Sequence, residues 1–234
     1  MDRSLGVTEY LRSIVPEWSI PLFEVATLAG DLVGVIAVVS FLVAADLYRW
    51  FRGETGRPLS RRVALIVAIV LGGLALTLTL KSAFDAPRPP PSLHAVPQGG
   101  SGFPSGHTMA ATVLWGSLVL WSRWGSVRVR LLLASAIVCV VALTRLVLGV
   151  HYLVDVLASI GFGAGYLLVA TYVTGDDPTR AFLGAAVLGT VAVAVTGGSV
   201  DGWLAFVGCT GGAVGWWVLD RVPRSVWLFH PGEP

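Results

Sequence analysis

Long apolar segments separated by short polar stretches dominate this 234-residue sequence. Each segment is roughly 16–24 residues long, close to the length that an α-helix needs to cross a hydrocarbon core about 30 Å thick. Charged residues make up only 13% of the chain, whereas soluble domains contain about 25%. This pattern excludes an ordinary soluble domain. It predicts an all-α fold, a polytopic transmembrane helical bundle of about six to seven spans.

The hydropathy pattern also locates the predicted spans along the chain. They cover residues 25–48, 61–81, 107–122, 130–148, 152–174, 180–197 and 203–220. Residues 4–18 are too short and too polar to cross, but their apolar side chains recur at roughly helical spacing. This spacing predicts an amphipathic helix at the membrane interface, within an N-terminal segment 1–24. We expect no cleaved signal peptide and a single integral-membrane domain over residues 1–234.

Arginine residues cluster in alternate connections between the predicted spans. They are Arg49, Arg52, Arg57, Arg61 and Arg62 in the first connection, Arg123, Arg128 and Arg130 in the third, and Arg221 and Arg224 in the C-terminal tail. Connections rich in arginine and lysine usually remain in the cytoplasm. The pattern therefore predicts a multi-pass protein of the cell membrane with its N-terminus outside. The connections at 82–106 and 149–151 then lie on the extracytoplasmic side.

A second group of ionisable residues lies at the other ends of the spans. It consists of Lys81, Arg88, His107, Arg145, His151 and Asp155. Ionisable groups at membrane depth are costly, which makes these residues candidates for a function. The connection at 82–106 is about 25 residues long, and connections of that length without regular structure are usually functional or disordered. Because spans anchor both of its flanks, we expect a function.

The spacing of these residues points to phosphate chemistry. His151 and Asp155 are four positions apart, so they share a helical face on which the carboxylate would select the tautomer of the imidazole. In the stretch 104–107 (PSGH), Gly106 permits close backbone approach and Ser105 offers a hydroxyl beside the free N–H groups of a helix N-terminus. The alternative is that Ser105 serves only as a helix cap.

The cations of this group suit a tetrahedral oxyanion, because guanidinium groups bind phosphate bidentately and a lysine adds a point charge. The sequence contains no HExxH motif, no cysteine–histidine set with zinc spacing and no cluster of carboxylates suited to magnesium. Positive side chains would then neutralise the phosphate in place of a metal. We therefore expect no metal and no cofactor.

Three motifs in this order resemble the type 2 phosphatidic acid phosphatase (PAP2) superfamily of membrane lipid phosphatases. Residues 81–89 have the form KX6RP, residues 104–107 are PSGH, and residues 145–155 have the form RX5HX3D. Together they define a motif core over residues 81–155. The third motif departs from the family at one position, since Thr144 stands where a serine is usual.

The resemblance implies a PAP2-type helical core with assigned roles for its motif residues. Phosphate binding is assigned to Lys81, Arg88, Ser105, Gly106 and Arg145, and catalysis to His107, His151 and Asp155. By this analogy, His151 attacks phosphorus and forms a phosphohistidine, while Asp155 orients the imidazole. His107 protonates the leaving group and then activates the water that releases phosphate.

The resemblance and the position of the motifs at the membrane edge imply a metal-independent lipid phosphatase. Its substrate would be a polyprenyl diphosphate, phosphatidate or phosphatidylglycerophosphate, with the lipid tails in the bilayer. Alternatives are a lipid phosphotransferase that uses the same site, a catalytically silent phosphate-binding membrane protein or, least compatible with the apolar spans, a soluble haloperoxidase. We expect a lipid phosphate and the bilayer as partners and no nucleic acid, and the oligomeric state stays open.

Overall fold

The computed structural model describes residues 5–222, and every regular element within them is helical. Short 3-10 turns occur at Glu17–Ser19, Leu28–Gly30 and Pro91–Leu93. The α-helices are α1 (Gly6–Ile14), α2 (Ile20–Thr27), α3 (Leu32–Phe51), α4 (Arg61–Phe84), α5 (Gly106–Trp121), α6 (Val127–Val147), α7 (Leu153–Thr174), α8 (Pro178–Val195) and α9 (Val200–Arg221). The predicted all-α fold is confirmed, whereas the basic residue Arg224 lies outside the described residues.

Six helices within residues 5–222 are long and apolar enough to cross a membrane, namely α3, α4, α6, α7, α8 and α9. The span predicted at 107–122 is α5, which has only 16 residues. At 1.5 Å per residue, a helix of that length extends about 24 Å, less than a hydrocarbon core of about 30 Å. α5 packs against α4, α6 and α7, so this short helix occupies the interior of the bundle.

The predicted start of the first span, at residue 25, is wrong. Residues Ile20–Thr27 form the separate helix α2, and α3 begins only at Leu32. The reason is a cap, because Asp31 has an extended backbone and its side chain accepts a hydrogen bond from Val33 N at 2.9 Å. Gly30 just before it packs so closely on α5 that a Cβ atom would collide with the carbonyl oxygen of His107. This close approach brings Asp31 to the N-terminus of α5.

The predicted N-terminal amphipathic helix is present as α1, which packs over the ends of α6 and α7. Leu11 packs against the buried side chains of Leu146 and Val156. Thr8 is fully buried, and its hydroxyl donates to the backbone carbonyl of His151 at 3.0 Å. Tyr10 on the other face is 62% exposed. The helix therefore supports the segment that carries His151 while it presents apolar side chains outward.

Successive long helices run in alternating directions, so their connections gather at two ends of the bundle. At the end that we call the site end, the connections 85–105 and 148–152 meet, and Ala95 N donates to Leu148 O at 3.0 Å. At the end that we call the arginine end, the connections 52–60, 122–126 and 175–177 meet the start of α4 and the end of α9. There the Arg61 guanidinium lies 2.9 Å from the Asp177 carboxylate.

Candidate active site

The long connection 85–105 lies over the turn between α6 and α7, held by backbone hydrogen bonds. Gly102 N donates to Ala86 O at 2.7 Å, which closes the connection on itself. Gly149 has a φ of +72°, and its Cα faces the carbonyl oxygen of Leu93 so closely that no side chain would fit. Main-chain packing therefore fixes this connection against the segment that precedes His151.

His151 is the centre of the hydrogen-bonded network at the site end. It is 1% exposed, its Nδ1 lies 3.4 Å from Asp155 Oδ2, and its Nε2 lies 3.1 Å from Arg88 Nη1. A guanidinium can only donate, so Nε2 is the acceptor and Nδ1 carries the proton toward the carboxylate. The structure thus places an unprotonated Nε2 among cations.

The predicted contact between His151 and Asp155 is present, but its geometry differs from the prediction. His151 precedes the N-cap residue Tyr152 and is not part of α7. Asp155, in the first turn, reaches back so that one oxygen accepts from Tyr152 N at 2.9 Å and also contacts His151 Nδ1. The pair is therefore built by helix capping instead of by two side chains on one helical face.

The surroundings of His151 lower the pKa of its imidazole well below the usual value of 6.5. Burial is the main cause, and the positive charges of Arg88, Arg145 and Lys81 add to it. Burial and nearby like charge both disfavour the charged form. The imidazole is consequently neutral at neutral pH.

Arg145 is buried beneath the long connection, with 2% of its surface exposed. Its Nη1 donates to the Thr27 hydroxyl and its Nη2 to the Gln98 side-chain oxygen, both at 3.2 Å. Its Nε has no hydrogen-bond partner within residues 5–222. The Thr144 hydroxyl, at the position where this sequence departs from the family motif, donates to Val141 O at 2.6 Å within its own helix. The buried guanidinium is thus held by neutral groups.

His107 has a partner that the sequence did not indicate. Its Nε2 lies 3.0 Å from Asp31 Oδ2, while the other Asp31 oxygen caps α3 through Val33 N. A carboxylate that accepts from an imidazole orients the ring and favours its protonated form. In the sequence, Asp31 is recognisable only as an acidic residue before an apolar run, which predicts a cap and nothing more.

Ser105, Gly106 and Lys81 form the wall between α4 and α5. Ser105 is the N-cap residue of α5, as the alternative predicted, but its hydroxyl pairs with the Thr108 hydroxyl at 3.0 Å instead of capping a backbone N–H. A Cβ atom on Gly106 would lie 3.2 Å from Cε of Lys81. Lys81 Nζ donates to Ser101 O in the long connection at 2.8 Å. The first-turn N–H groups of α5 and the lysine therefore lie side by side.

All eight residues predicted as a site lie at the site end, and several of them touch one another. Arg88 Nε also donates to Gly99 O at 3.0 Å and its Nη1 to Val150 O at 3.0 Å, so the guanidinium bridges the two connections. Ser105 N lies 3.4 Å from Asp155 O. Sequence reasoning missed the hydrogen-bond partners that come from distant segments, namely Thr8, Thr27, Asp31 and Gln98. It also missed Thr108, three positions after its partner Ser105.

An apolar groove of about 460 Å³ opens beside these residues, between α3, α4, α5 and α9. Lys81, Gly106, His107 and Asp31 line its polar part. Its apolar part is formed by side chains that include Leu71, Leu74, Leu78, Leu204, Ala205 and Cys209. The approach of α9 to the site was not predictable from the sequence, because this helix carries none of the motifs.

Comparison with known proteins agrees with this architecture. A family model described as the PAP2 superfamily matches residues 62–178, which is half of the 234-residue chain. No curated protein matches the chain by sequence. The crystal structure of the first transmembrane PAP2 type phosphatidylglycerolphosphate phosphatase from Bacillus subtilis superposes with a TM-score of 0.60 at 20% sequence identity, over 70% of this chain and 81% of that chain. The fold is therefore shared, and the matched segment includes all three motifs. This multi-pass membrane protein belongs to the PAP2 superfamily.

Proposed function

We propose that this protein is a metal-independent membrane lipid phosphatase that acts through a phosphohistidine intermediate. The observation that carries the proposal is the state of His151, whose unprotonated Nε2 lies 3.1 Å from the guanidinium of Arg88 while Nδ1 faces a buried carboxylate. A neutral imidazole held in this way is a nucleophile, and the cations around it are suited to the negative charge of a phosphoryl group.

In the first step, the phosphate takes over hydrogen bonds that the site cations now make to the protein. Arg88 turns from His151 Nε2 to a phosphate oxygen, and Arg145 and Lys81 bind the others, together with the Ser105 hydroxyl and the first N–H groups of α5. Nε2 then attacks phosphorus, the bond from phosphorus to the leaving oxygen breaks, and protonated His107 gives its proton to that oxygen. Asp31 favours the protonated form of His107 that this role requires, and the negative charge of the bound phosphate would favour it further.

In the second step, water releases the phosphate. His107, now neutral, takes a proton from the water as the water oxygen attacks phosphorus and the bond between phosphorus and His151 Nε2 breaks. Inorganic phosphate leaves and both histidines return to their starting states. Asp155 accepts from Nδ1 throughout, so it stabilises the positive charge on the phosphorylated imidazole.

The apolar groove supports a lipid as the substrate. Its polar part contains Lys81 and His107 and its apolar part continues between α4 and α9 toward the middle of the bundle. A phosphorylated lipid would place its phosphate at the polar part and one chain along the apolar part. The substrate classes that fit this shape are polyprenyl diphosphate, phosphatidate and phosphatidylglycerophosphate, and the last is the substrate named for the Bacillus subtilis phosphatase.

The arrangement of arginines supports an extracytoplasmic site. The arginine end includes Arg49, Arg52, Arg57, Arg61 and Arg62, together with Arg123, Arg128, Arg130 and Arg221. Under the positive-inside rule that end faces the cytoplasm. The site end then faces the outside, and its cations Lys81, Arg88 and Arg145 belong to the candidate site.

The test is phosphate release by the purified full-length protein in mixed micelles that contain the three lipid phosphates in turn, with a chelator present. We expect release from at least one lipid, and the His151→Ala variant should lose at least about 10³-fold in rate while retaining its melting temperature. Acid-labile phosphate on the protein should appear in the wild type and not in this variant. Full activity of the variant would refute the nucleophile, and release only after addition of an alcohol acceptor would indicate transfer instead of hydrolysis.

A further inference from the structure

A second polar cavity lies at the arginine end, on the side of the bundle opposite to the site. It has a volume of about 410 Å³, within the range of small-molecule binding sites. Its polar lining consists of Arg61, Arg62, Arg123, Arg130, Ser122 and Asp176, and its apolar lining of Leu65, Leu120 and Trp121. Because the α4, α5 and α6 ends and the turn before α8 all contribute, this arginine pocket exists only in the folded bundle.

The charges of the arginine pocket are unbalanced. Arg61 is paired with Asp177 at 2.9 Å, but no carboxylate among residues 5–222 lies within ion-pair distance of Arg62, Arg123 or Arg130. The one carboxylate in the lining, Asp176, accepts a hydrogen bond from Trp121 Nε1 at 2.6 Å. The pocket therefore keeps an excess of positive charge that an anion would neutralise.

The guanidinium of Arg130 indicates more specifically that an anion binds in the pocket. Its Nη1 donates to the carbonyl oxygen of Ser122, which fixes the side chain across the connection between α5 and α6. Its Nε is buried and has no hydrogen-bond partner in the part of the chain that the structure describes. A buried unpaired donor costs free energy, and a phosphate oxygen in the pocket would relieve that cost.

Apolar grooves adjoin the arginine pocket in the membrane-spanning part of the bundle. Leu120 lines both the pocket and a groove of about 750 Å³ between α5, α6 and α7, whose walls include Val138, Ile160 and Leu168. Arg130 lines both the pocket and a smaller groove of about 110 Å³ beside Trp124. A cationic pocket that adjoins apolar grooves matches the polarity of one phospholipid, with a charged head group and acyl chains.

We propose that the arginine pocket binds an anionic phospholipid from the leaflet opposite to the site. The phosphate lies among Arg62, Arg123 and Arg130, and an acyl chain follows the groove between α5, α6 and α7. Trp121 and Trp124 lie at the level of the head group, where tryptophan is favoured. This lipid is a bound structural ligand and not a substrate, so the proposal does not depend on the proposed phosphatase activity.

The experiment measures lipid binding to the full-length protein in detergent, by native mass spectrometry and by the shift in melting temperature. The probes are phosphatidylglycerol and phosphatidylcholine with identical acyl chains, and soluble glycerol phosphate. Neither lipid carries a phosphomonoester, so turnover does not interfere. We expect phosphatidylglycerol to bind and to raise the melting temperature, while phosphatidylcholine and glycerol phosphate do so much less.

Arginine variants test whether the lipid binds in the arginine pocket. Arg62→Gln with Arg123→Gln should weaken phosphatidylglycerol binding by about tenfold or more, since each substitution removes a charge-assisted hydrogen bond. Neither side chain donates within residues 5–222, so folding should be unaffected. Arg128→Gln is the matched control, because Arg128 lies on the same first turn of α6 as Arg130 but does not line the pocket. Unchanged binding in the double variant, equal loss in the control, or equal effects of the three probes would overturn the proposal.

Discussion

The two ends of the bundle use their charged side chains differently. At the arginine end, arginines outside the arginine pocket pair with carboxylates at partly exposed positions, as Arg57 does with Asp220 at 3.3 Å. At the site end, two carboxylates pair with histidines, Asp31 with His107 and Asp155 with His151. The candidate site cation Arg145 donates instead to neutral oxygens, those of Thr27 and Gln98.

This difference would favour binding of a doubly charged phosphate at the site end, as the proposed function requires. A carboxylate held against an arginine must be displaced before an anion can bind, whereas a backbone carbonyl or an amide oxygen competes weakly with a phosphate. Exposed ion pairs contribute at most about 1 kcal/mol to stability. Buried cations interact much more strongly with an anion, because water does not screen them. The carboxylates at the site end are thereby available to orient the two histidines.

The largest effect is expected from removing a cation at each end. Arg145→Gln should lower kcat/KM for phosphate release by about 10²–10³-fold, since a buried charge that stabilises the transition state is lost. Arg57→Gln, the matched control, should change activity less than about twofold and lower the free energy of unfolding by about 1 kcal/mol or less. Kinetics and thermal denaturation of both variants check this, and similar activities would contradict the contrast between the ends.

The second prediction compares two carboxylates that cap helices in the same way. Asp31 caps α3 and Asp177 caps α8, but only Asp31 contacts a histidine. Asparagine preserves both caps. Asp31→Asn should therefore lower kcat by about 10²-fold, because His107 loses the group that favours its protonated form, whereas Asp177→Asn should leave kcat unchanged.

The pH profile distinguishes this positioning role from a structural one. Without Asp31, the imidazolium of His107 is less favoured, so the alkaline limb of kcat should move to lower pH. A fall in kcat with no movement of that limb would mean that Asp31 acts only through the fold of α3.

The smallest expected effect is on the acid limb of kcat/KM. Burial and then the charge of Arg88 hold the pKa of His151 below 6.5, and only the neutral imidazole attacks phosphorus. The acid limb of the wild type should therefore lie below pH 6.5. Arg88→Gln removes a positive charge, which raises the pKa of His151 and moves the limb to higher pH. Arg49→Gln at the arginine end should leave the limb in place, and a shift of the Arg88 variant to lower pH would contradict the assignment.

Much of the fold and of the candidate site was predictable from the sequence, because both depend on local patterns. Apolar length predicts a membrane helix wherever it occurs, and the starts of α4, α5 and α7 lie within one residue of the prediction. The eight candidate residues were recognisable from three motifs of fixed spacing. The motif from His151 to Asp155 acts at short range, since Asp155 in the first turn of α7 reaches back to the residues just before the helix.

Other features were not predictable from local patterns. The first span starts at Leu32 instead of residue 25, because Asp31 caps a helix whose predecessor, α2, is equally apolar. Hydropathy alone does not distinguish a short apolar helix followed by a long one from a single longer helix. The contribution of α9 to the groove beside Lys81 was also not predictable, since the α9 residues Leu204 and Cys209 are typical of any membrane helix.

The sequence by itself determined that this chain is a helical membrane protein with the three PAP2 motifs at the ends of its helices. Length, polarity and motif spacing are properties of single segments, so they can be read without a partner segment. Only the tertiary structure decided which distant groups support those side chains, as Asp31 supports His107 and Gln98 supports Arg145. Such contacts depend on how closely two helices or loops approach, and that distance is set by packing, as at Gly30 against α5.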